Sequence, residues 1–297
     1  MARKRVVVTG AAGTISSQIL PTLRERYDVV PVDRTRQGKV GTIDDMVLAD
    51  LADPDLDRYR AHFKGADAIV HNAYAVDRDH PSDLMGQWLG RNPALPMSLD
   101  GFAVERRNID MVYHVLRLAV EEGIPRVVVA SSNHAADWYE TKLHSGGMHA
   151  VGPEDYPLSD NFYGWAKAAY ELLGHIFACG TFGRPVETVF IRIGAPRPIT
   201  IQGDDVVGYR RDLGAYVSPR DLAELTVRAI ETPDIRNADG VPWLVVYGRS
   251  DNARAFWSLE SARRVLGYAP KDDSEVAFAD DIRRLLIDPE RGRPWPL

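Results

Sequence analysis

The sequence predicts an α/β protein, a doubly wound parallel sheet with helices on both faces and a smaller C-terminal lobe. Short apolar runs rich in β-branched residues, which are typical of buried parallel strands, alternate with amphipathic segments of helix length. Such alternation favours a doubly wound sheet. At 297 residues, of which 45% are hydrophobic, the chain is long enough for one large domain and a lobe.

The elements can be assigned in chain order. Strands are predicted over residues 5–10, 27–33, 66–71, 126–131, 186–193 and 243–247, and helices over 104–122 and 161–178. Ser218-Pro219 predicts a further helix start, a hydroxyl cap followed by a proline at the first helical position. Ser258 is expected to cap a last helix that Gly267 closes in a left-handed conformation.

A glycine-containing turn follows the first predicted strand, where the chain reads Gly10-Ala-Ala-Gly13-Thr-Ile-Ser16. Glycines at a strand-to-helix turn let backbone N–H groups approach a pyrophosphate, and the positive end of the next helix favours the anion. The turn therefore predicts a dinucleotide site, with Ser16 in the place of a third glycine.

An acidic residue ends the second predicted strand. Asp33 stands about 20 residues after Gly13, where a carboxylate binds the adenosine ribose hydroxyls and repels a 2′-phosphate. Asp33 therefore favours NAD over NADP as the expected cofactor, although Arg34 could accept a phosphate if it turned inward.

Tyr163 and Lys167 stand four residues apart and share one face of the predicted helix. A free tyrosine, with a pKa of about 10, is a poor base at neutral pH, and a nearby cation lowers that pKa by roughly 1 to 3 units. The pair therefore predicts general base catalysis by Tyr163 with Lys167 lowering its pKa. Ser132 precedes the pair at the end of strand 126–131 and is expected to assist it.

Composition excludes several classes of function. The net charge of −6 shows no excess of basic residues of the kind that nucleic-acid-binding proteins use to contact phosphates. No apolar run approaches the roughly 18 residues of a membrane helix, and the N-terminus leads into a strand instead of a signal peptide, so a cytoplasmic protein is expected. The single cysteine, Cys179, excludes an intrachain disulfide and a cysteine-based zinc site, and is expected to be buried. No metal is expected.

The predicted elements suggest how the chain is divided. Residues 1–194 are expected to form the dinucleotide-binding (Rossmann) domain, with an insertion at 77–103. Residues 195–297 are expected to form the smaller substrate lobe, with 213–247 returning to the sheet. Ligands of such folds bind at the carboxyl edge of the sheet, which this lobe would cover.

Several stretches resemble the extended short-chain dehydrogenase/reductase family, also called the NAD-dependent epimerase/dehydratase family, and the likeness runs from about residue 3 to about residue 285. They are Thr9-Gly10-Ala-Ala-Gly13, Asp33, Asp50-Leu51, Ala130-Ser131-Ser132 and Tyr163-x-x-x-Lys167. Residues 130–134, 162–167, 189–194 and 247–252 look like the uronate dehydrogenases and related NAD-dependent sugar 1-dehydrogenases of that family. Those enzymes oxidise the anomeric carbon of a cyclic sugar to a lactone.

The resemblance implies roles for individual residues. Tyr163 would take the proton of the anomeric hydroxyl, Lys167 would hold the ribose, and Ser132 would hydrogen-bond the same oxygen as Tyr163. The residues expected to contact the sugar are Ser131, Asn133, His134 and Arg211, of which Arg211 matches the arginine that pairs with an anionic group of the substrate. The residues expected to contact the cofactor are Gly10, Gly13, Thr14, Ile15, Asp33, Arg34, Asp50, Leu51, Asn72, Ala73, Asn108, Tyr163 and Lys167.

The chain also departs from the uronate dehydrogenases. Val76 and Ala195 stand where those enzymes place small polar residues near the sugar, so the pocket that recognises a carboxylate is incomplete. The substrate is therefore left open among a uronate, a neutral aldose, a sugar phosphate and another cyclic hemiacetal. Two other functions remain as alternatives. One is a sugar-nucleotide epimerase or dehydratase with tightly bound NAD, and the other is a non-catalytic dinucleotide-binding protein. Family members often form homodimers through the helices at 104–122 and 161–178, and a homodimer is expected here.

Overall fold

The computed structural model describes residues 3–75, 99–201, 203 and 205–287. The strands are β1 (Arg5–Thr9), β2 (Asp28–Asp33), β3 (Gln37–Gly38), β4 (Gly41–Thr42), β5 (Val47–Leu48), β6 (Ala68–His71), β7 (Arg126–Ser132), β8 (Glu187–Ile193) and β9 (Trp243–Gly248). The helices are α1 (Thr14–Arg26), α2 (Gly101–Glu121), α3 (Glu140–His144), α4 (Phe162–Ala178), α5 (Val206–Ala215), α6 (Pro219–Glu231), α7 (Glu260–Leu266), α8 (Ser274–Ala277) and α9 (Ala279–Ile282). A 3₁₀ segment, Asn133–Tyr139, joins β7 to α3.

Seven of these strands form one parallel sheet in the order β5-β2-β1-β6-β7-β8-β9. The run at β1 shows why the sequence forms a central strand. Val6 and Val8 belong to the apolar core on one face of the sheet and Val7 to the core on the other, because successive side chains of a strand point to opposite faces. The predicted doubly wound fold is confirmed.

Helices cover both faces of the sheet. On one face α1 packs against α6, and on the other α2 packs against α4. Helix α6 and all of β9 except Gly248 lie within 213–247, the segment expected to return to the sheet. Ser218 caps α6 by accepting a hydrogen bond from the backbone N–H of Asp221 at 3.1 Å, and Gly267 closes α7 with a φ of 64°, both as predicted.

The C-terminal part of the chain adds a third apolar cluster beside the sheet. Its centre is Trp257, with Tyr209 and Leu213 of α5, Tyr247 of β9 and Ile282 of α9. Single parallel bridges join residue 151 to 257 and residue 195 to 216. These contacts hold α5 over the carboxyl ends of β7 and β8.

Two expectations differ from the structure, and one lies largely outside it. Cys179 is exposed, because α4 ends at Ala178 and the cysteine follows as its C-cap. Helix α2 begins at Gly101, inside the segment 77–103 assigned to an insertion; residues 77–98 of that segment lie outside the described residues. Within the described ranges, no helix has the length and apolarity needed to cross a membrane.

The strand order reverses at β1, because the strands that follow it are added first on one side of it, at β2, and then on the other, at β6. Open parallel sheets bind ligands outside the carboxyl ends of their strands at such a point. The carboxyl ends of β1 and β6 lead into Gly10 and Asn72, which places the predicted glycine turn at this position.

Candidate active site

A cavity of about 420 Å³, named cavity 1 here, lies along these strand ends. Gly10 has a φ of 66°, a backbone conformation that glycine adopts without strain. A Cβ at Gly10 would lie 2.5 Å from the backbone nitrogen of Ala73, so a glycine is needed where the two strand ends meet. Gly13 is the N-cap of α1, and no side chain caps the helix there. The first backbone N–H groups of α1 can therefore donate hydrogen bonds to an anion.

Acidic and basic side chains line one end of cavity 1. They are Asp33, Arg34, Lys39 and Asp50. The Asp33 carboxylate accepts hydrogen bonds from the backbone nitrogens of Ala12 at 3.0 Å and Arg34 at 2.6 Å. It is therefore fixed against the glycine turn, in the position that a ribose-binding carboxylate needs.

Most of the predicted cofactor residues line cavity 1. They are Gly10, Gly13, Thr14, Ile15, Asp33, Arg34, Asp50, Leu51, Asn72, Ala73, Tyr163 and Lys167. Asn108 does not line cavity 1 but supports Ala75, which does. Its side-chain oxygen accepts a hydrogen bond from the backbone nitrogen of Ala75 at 2.7 Å, and its side-chain nitrogen donates one to the backbone carbonyl of Ala75 at 3.1 Å. Ser16 is buried and accepts a hydrogen bond from Asn72 at 3.1 Å, so both residues hold the segment after β6.

Tyr74 lines cavity 1 and Glu105 contacts it, and neither residue was predicted. The Tyr74 hydroxyl donates to Glu105, and burial raises the pKa of that carboxyl. The Tyr74 ring meets the Tyr163 ring edge to face at 5.5 Å. Glu105 precedes Asn108 by three residues on α2, and that helical spacing is a sequence signal that could have identified it.

The start of α4 positions Tyr163. Asn161 caps the helix by accepting a hydrogen bond from the backbone nitrogen of Gly164 at 2.8 Å. A Cβ at Gly164 would lie 2.1 Å from the carbonyl oxygen of His134, so the helix backbone packs directly on the 3₁₀ segment after β7. As a result the rings of Tyr163 and His134 are 5.3 Å apart.

Lys167 lies one turn further along α4 and is almost fully buried. Its Nζ donates to the carbonyl of Ala130, at the end of β7, at 3.0 Å. The same atom lies 5.5 Å from the centroid of the Tyr163 ring, 5.0 Å from that of Tyr74 and 4.7 Å from that of Tyr170. The predicted pair therefore meets at cavity 1, with the ammonium held among aromatic rings.

The pKa values differ from the expectation. Burial raises the pKa of Tyr163 to about 12, outweighing a hydrogen bond with Ser132 that lowers it. Burial also lowers the pKa of Lys167 to about 8, against the effects of Glu105 and Glu171. The expectation of a lowered Tyr163 pKa is wrong for the protein alone, because the lost hydration of the phenolate is the largest effect on it.

The two serines at the end of β7 have different surroundings. The Ser131 hydroxyl donates to Glu171 of α4 at 2.7 Å, so it is engaged inside the protein. Glu171 also accepts from the buried Arg192 of β8 at 2.7 and 2.9 Å, and Arg192 donates to the hydroxyl of Tyr247 at 3.0 Å. The Ser132 hydroxyl lies within hydrogen-bonding reach of Tyr163 and accepts a hydrogen bond from the backbone nitrogen of His134 at 3.2 Å.

A second cavity of about 310 Å³, named cavity 2 here, lies under α5 and adjoins the first. Ile15, Ser131 and Tyr163 line both cavities. Ser132, His134 and Arg211 also line cavity 2, together with Ala195, Arg197, Asp205 and Asp212. Tyr163 therefore lies where a ligand in cavity 2 would meet a ligand in cavity 1.

Two acidic residues near cavity 2 were not predicted. Asp137 accepts hydrogen bonds from Nδ1 of His134 at 2.9 Å and from the amide of Asn161 at 3.0 Å, and burial lowers the pKa of His134. Glu140 pairs with Arg211 at 3.0 Å. Asp137 lies in the 3₁₀ segment, and Glu140 begins a helix of five residues. Both elements are too short for a periodic pattern, so the sequence carried no signal for either acid.

Comparison with known proteins agrees with this geometry. Residues 6–86 match the NAD dependent epimerase/dehydratase family. Uronate dehydrogenase of Pseudomonas syringae pv. tomato is 30% identical over 275 residues, which cover 92% of this chain and 83% of that protein. L-arabinose 1-dehydrogenase (NAD(P)(+)) of Haloferax volcanii is 30% identical over 285 residues, which cover 91% and 97%. A solved structure of a mutant uronate dehydrogenase from Agrobacterium tumefaciens complexed with NAD has a TM-score of 0.68 and 26% identity, covering 100% of this chain and 92% of that chain.

The fold and cavity 1 define a dinucleotide-dependent enzyme of the short-chain dehydrogenase/reductase type. The chain belongs to the NAD-dependent epimerase/dehydratase family, within the extended branch of that group. Its cofactor is NAD. The prediction of the family, of an enzyme and of NAD is confirmed.

Proposed function

We propose that the protein oxidises the anomeric carbon of a cyclic sugar to a lactone, with NAD as the hydride acceptor. The main support is the shared wall of the two cavities. Ile15, Ser131 and Tyr163 line both, so a sugar in cavity 2 and a nicotinamide in cavity 1 would meet at the phenol of Tyr163.

Each side chain has a defined part in this reaction. Tyr163 takes the proton of the anomeric hydroxyl as C1 loses its hydride, so the C1–O bond becomes a carbonyl and NAD becomes NADH. Ser132 hydrogen-bonds the same oxygen, and Lys167 holds the ribose of the cofactor. NAD, when bound in cavity 1, would supply the hydride acceptor and a positively charged nicotinamide, which would favour the tyrosinate form of Tyr163.

The relatives support a C1 dehydrogenase. One is named an L-arabinose 1-dehydrogenase and another a uronate dehydrogenase. The glycine turn, Asp33 and the Tyr163–Lys167 pair also serve epimerases, which return the hydride to the sugar. Net formation of NADH from a free sugar is therefore the property that distinguishes the two reactions.

The direct test is NADH absorbance from purified protein with NAD and a panel of uronic acids, aldoses, hexose phosphates and UDP-sugars. We expect a steady rise with one class of free sugar. A flat trace across the panel from protein that already carries NAD would favour the epimerase or dehydratase, and no turnover with no bound NAD would favour a binding protein.

Cofactor preference is expected to depend on Asp33. The wild type should use NAD with a kcat/KM at least roughly tenfold above that with NADP, about 1.4 kcal/mol, because the carboxylate repels a 2′-phosphate. Asp33→Ala should lose most of this preference, since Arg34 and Lys39 remain in the cavity wall. Fluorescence titration with NADH and NADPH measures the same ratio without a sugar. Asp28→Ala, at the other end of β2, is the matched control, and equal use of both cofactors by the wild type would contradict the assignment.

A homodimer is the proposed assembly, formed through α2 and α4. Large apolar side chains on these helices are exposed in the single chain, among them Phe102, Trp165, Leu172 and Ile176, and exposed apolar patches mark interfaces. The variant Leu172→Asp/Ile176→Asp should convert a dimer into a monomer in light scattering coupled to size exclusion. Val276→Asp on α8 is the control. A wild type that is monomeric at micromolar concentration would contradict this assembly.

A further inference from the structure

Arg211 of α5 is held by other protein side chains at the wall of cavity 2. Its guanidinium donates to Glu140 through Nη2 at 3.0 Å and through Nε at 3.3 Å, and through Nη1 to Asp212 at 3.0 Å. With the Asn133 amide turned to satisfy its neighbours, its oxygen accepts from Nη2 of Arg211 at 2.9 Å. The guanidinium also stacks on the buried ring of Trp257, 5.2 Å from its centroid.

Glu140 is the main partner of this arginine. It begins α3 directly after the 3₁₀ segment, and both side chains of the pair are only 6% exposed. A carboxylate on the sugar would have to take the place of Glu140 in this geometry. Breaking a buried ion pair leaves one charge without a partner inside the protein, which is strongly unfavourable.

The other charges of cavity 2 also oppose an anion. Among the described residues that line it, the arginines are Arg197 and Arg211 and the carboxylates are Asp205 and Asp212. Asp212 accepts hydrogen bonds from both arginines. Glu140, behind the wall, adds a further carboxylate, so the arginines do not create an excess of positive charge.

We infer that the substrate is a neutral sugar, an aldose without a carboxylate or phosphate group, and that Glu140 sets this preference by occupying Arg211. The inference rests on the proposed C1 dehydrogenase function. Ser132 and His134, which line cavity 2, supply hydrogen-bonding groups that suit sugar hydroxyls. The carboxylate-binding arginine implied by the likeness to uronate dehydrogenases is therefore present in this chain but neutralised by Glu140.

The test compares sugars that differ only at C6, namely glucose with glucuronate, galactose with galacturonate, and glucose with glucose 6-phosphate. For the wild type at about pH 8.5, where carboxyl groups are ionised, we expect kcat/KM for the aldose to exceed that for its anionic partner by at least roughly tenfold. Because each pair shares the Tyr163 step, the ratio reports recognition and not the chemistry.

Glu140→Gln should lower this aldose-to-uronate ratio at least roughly tenfold, because Arg211 then faces the cavity without the neutralising charge. In the double variant Glu140→Gln/Arg211→Gln the aldose-to-uronate ratio should return towards that of the wild type, because the effect of Glu140 on the uronate requires Arg211. Glu260→Gln, which changes an exposed carboxylate at the start of α7, is the control for an altered net charge. Thermal melting checks that each variant folds.

The wild type also allows a test that needs no variant. Burial raises the pKa of Glu140 to about 7 despite Arg211, with Asp137 and Asp212 acting in the same direction as burial. As the pH falls from about 8.5 to about 6, Glu140 takes a proton and releases Arg211, while the uronate stays ionised. We therefore expect kcat/KM for the uronate to rise relative to kcat/KM for the aldose.

The outcomes separate the two proposals. No NADH from any sugar would overturn the dehydrogenase itself. A wild type that prefers uronates or sugar phosphates would overturn only the inference about a neutral sugar. An aldose preference that Glu140→Gln leaves unchanged would overturn the role of Glu140.

Discussion

Tyr163→Phe is expected to lower kcat by roughly 10²- to 10⁴-fold, the range typical of losing a general base. The change removes one oxygen and keeps the ring that packs against His134 and Tyr74. NAD binding should therefore be nearly unchanged. Single-turnover NADH formation measures the chemical step, and fluorescence titration measures the cofactor affinity.

Tyr170→Phe is the matched control for this substitution. Tyr170 is buried on the same helix, and its ring centroid lies 4.7 Å from Nζ of Lys167, but it is not among the residues that line either cavity. It should retain turnover close to that of the wild type. Undiminished turnover in Tyr163→Phe would rule out the assigned mechanism, and loss of NAD binding would show that the hydroxyl serves the cofactor.

Glu171→Ala is expected to reduce the free energy of unfolding by about 3 to 5 kcal/mol. The reason is that Arg192, only 1% exposed, would keep its charge without the carboxylate. Ser131 would lose its acceptor as well. Urea denaturation followed by circular dichroism gives the free energy.

Glu224→Ala provides the comparison, because its pair with Arg228 lies on the exposed face of α6. Exposed pairs one helical turn apart contribute about 0.3 to 0.5 kcal/mol. An equal effect of the two substitutions would contradict a special contribution of the buried pair. Glu171 follows Lys167 by one turn of α4, so its loss should also loosen the helix that carries Tyr163 and Lys167 and, under the proposed mechanism, lower kcat in the fraction that remains folded.

The features that the sequence predicted well are those that short-range patterns encode. Val6 to Val8 alternate between the two cores, Gly10 adopts the positive φ that the turn needs, and Tyr163 and Lys167 share a helix face. Each depends on residues within a few positions of one another, so spacing alone indicates the geometry.

The features that the sequence did not predict depend on burial and on contacts between distant segments. Glu140 meets Arg211 across 71 positions of the chain, and no local pattern joins them. Ser131 stands at the expected strand end, but its hydroxyl is engaged by Glu171, 40 positions away. The direction of the Tyr163 pKa shift follows from how completely the phenol is enclosed, which spacing cannot report.

The contact at Gly164 has a consequence for how this enzyme can acquire new substrates. No side chain fits between the start of α4 and the carbonyl of His134, so a shift of the segment that carries His134 would also shift the start of α4 and Tyr163. Mutations that displace either residue should therefore change the position of the other. Under the proposed mechanism, changes on α5, where Arg211 and Asp212 line cavity 2, would alter substrate recognition with the least disturbance of Tyr163.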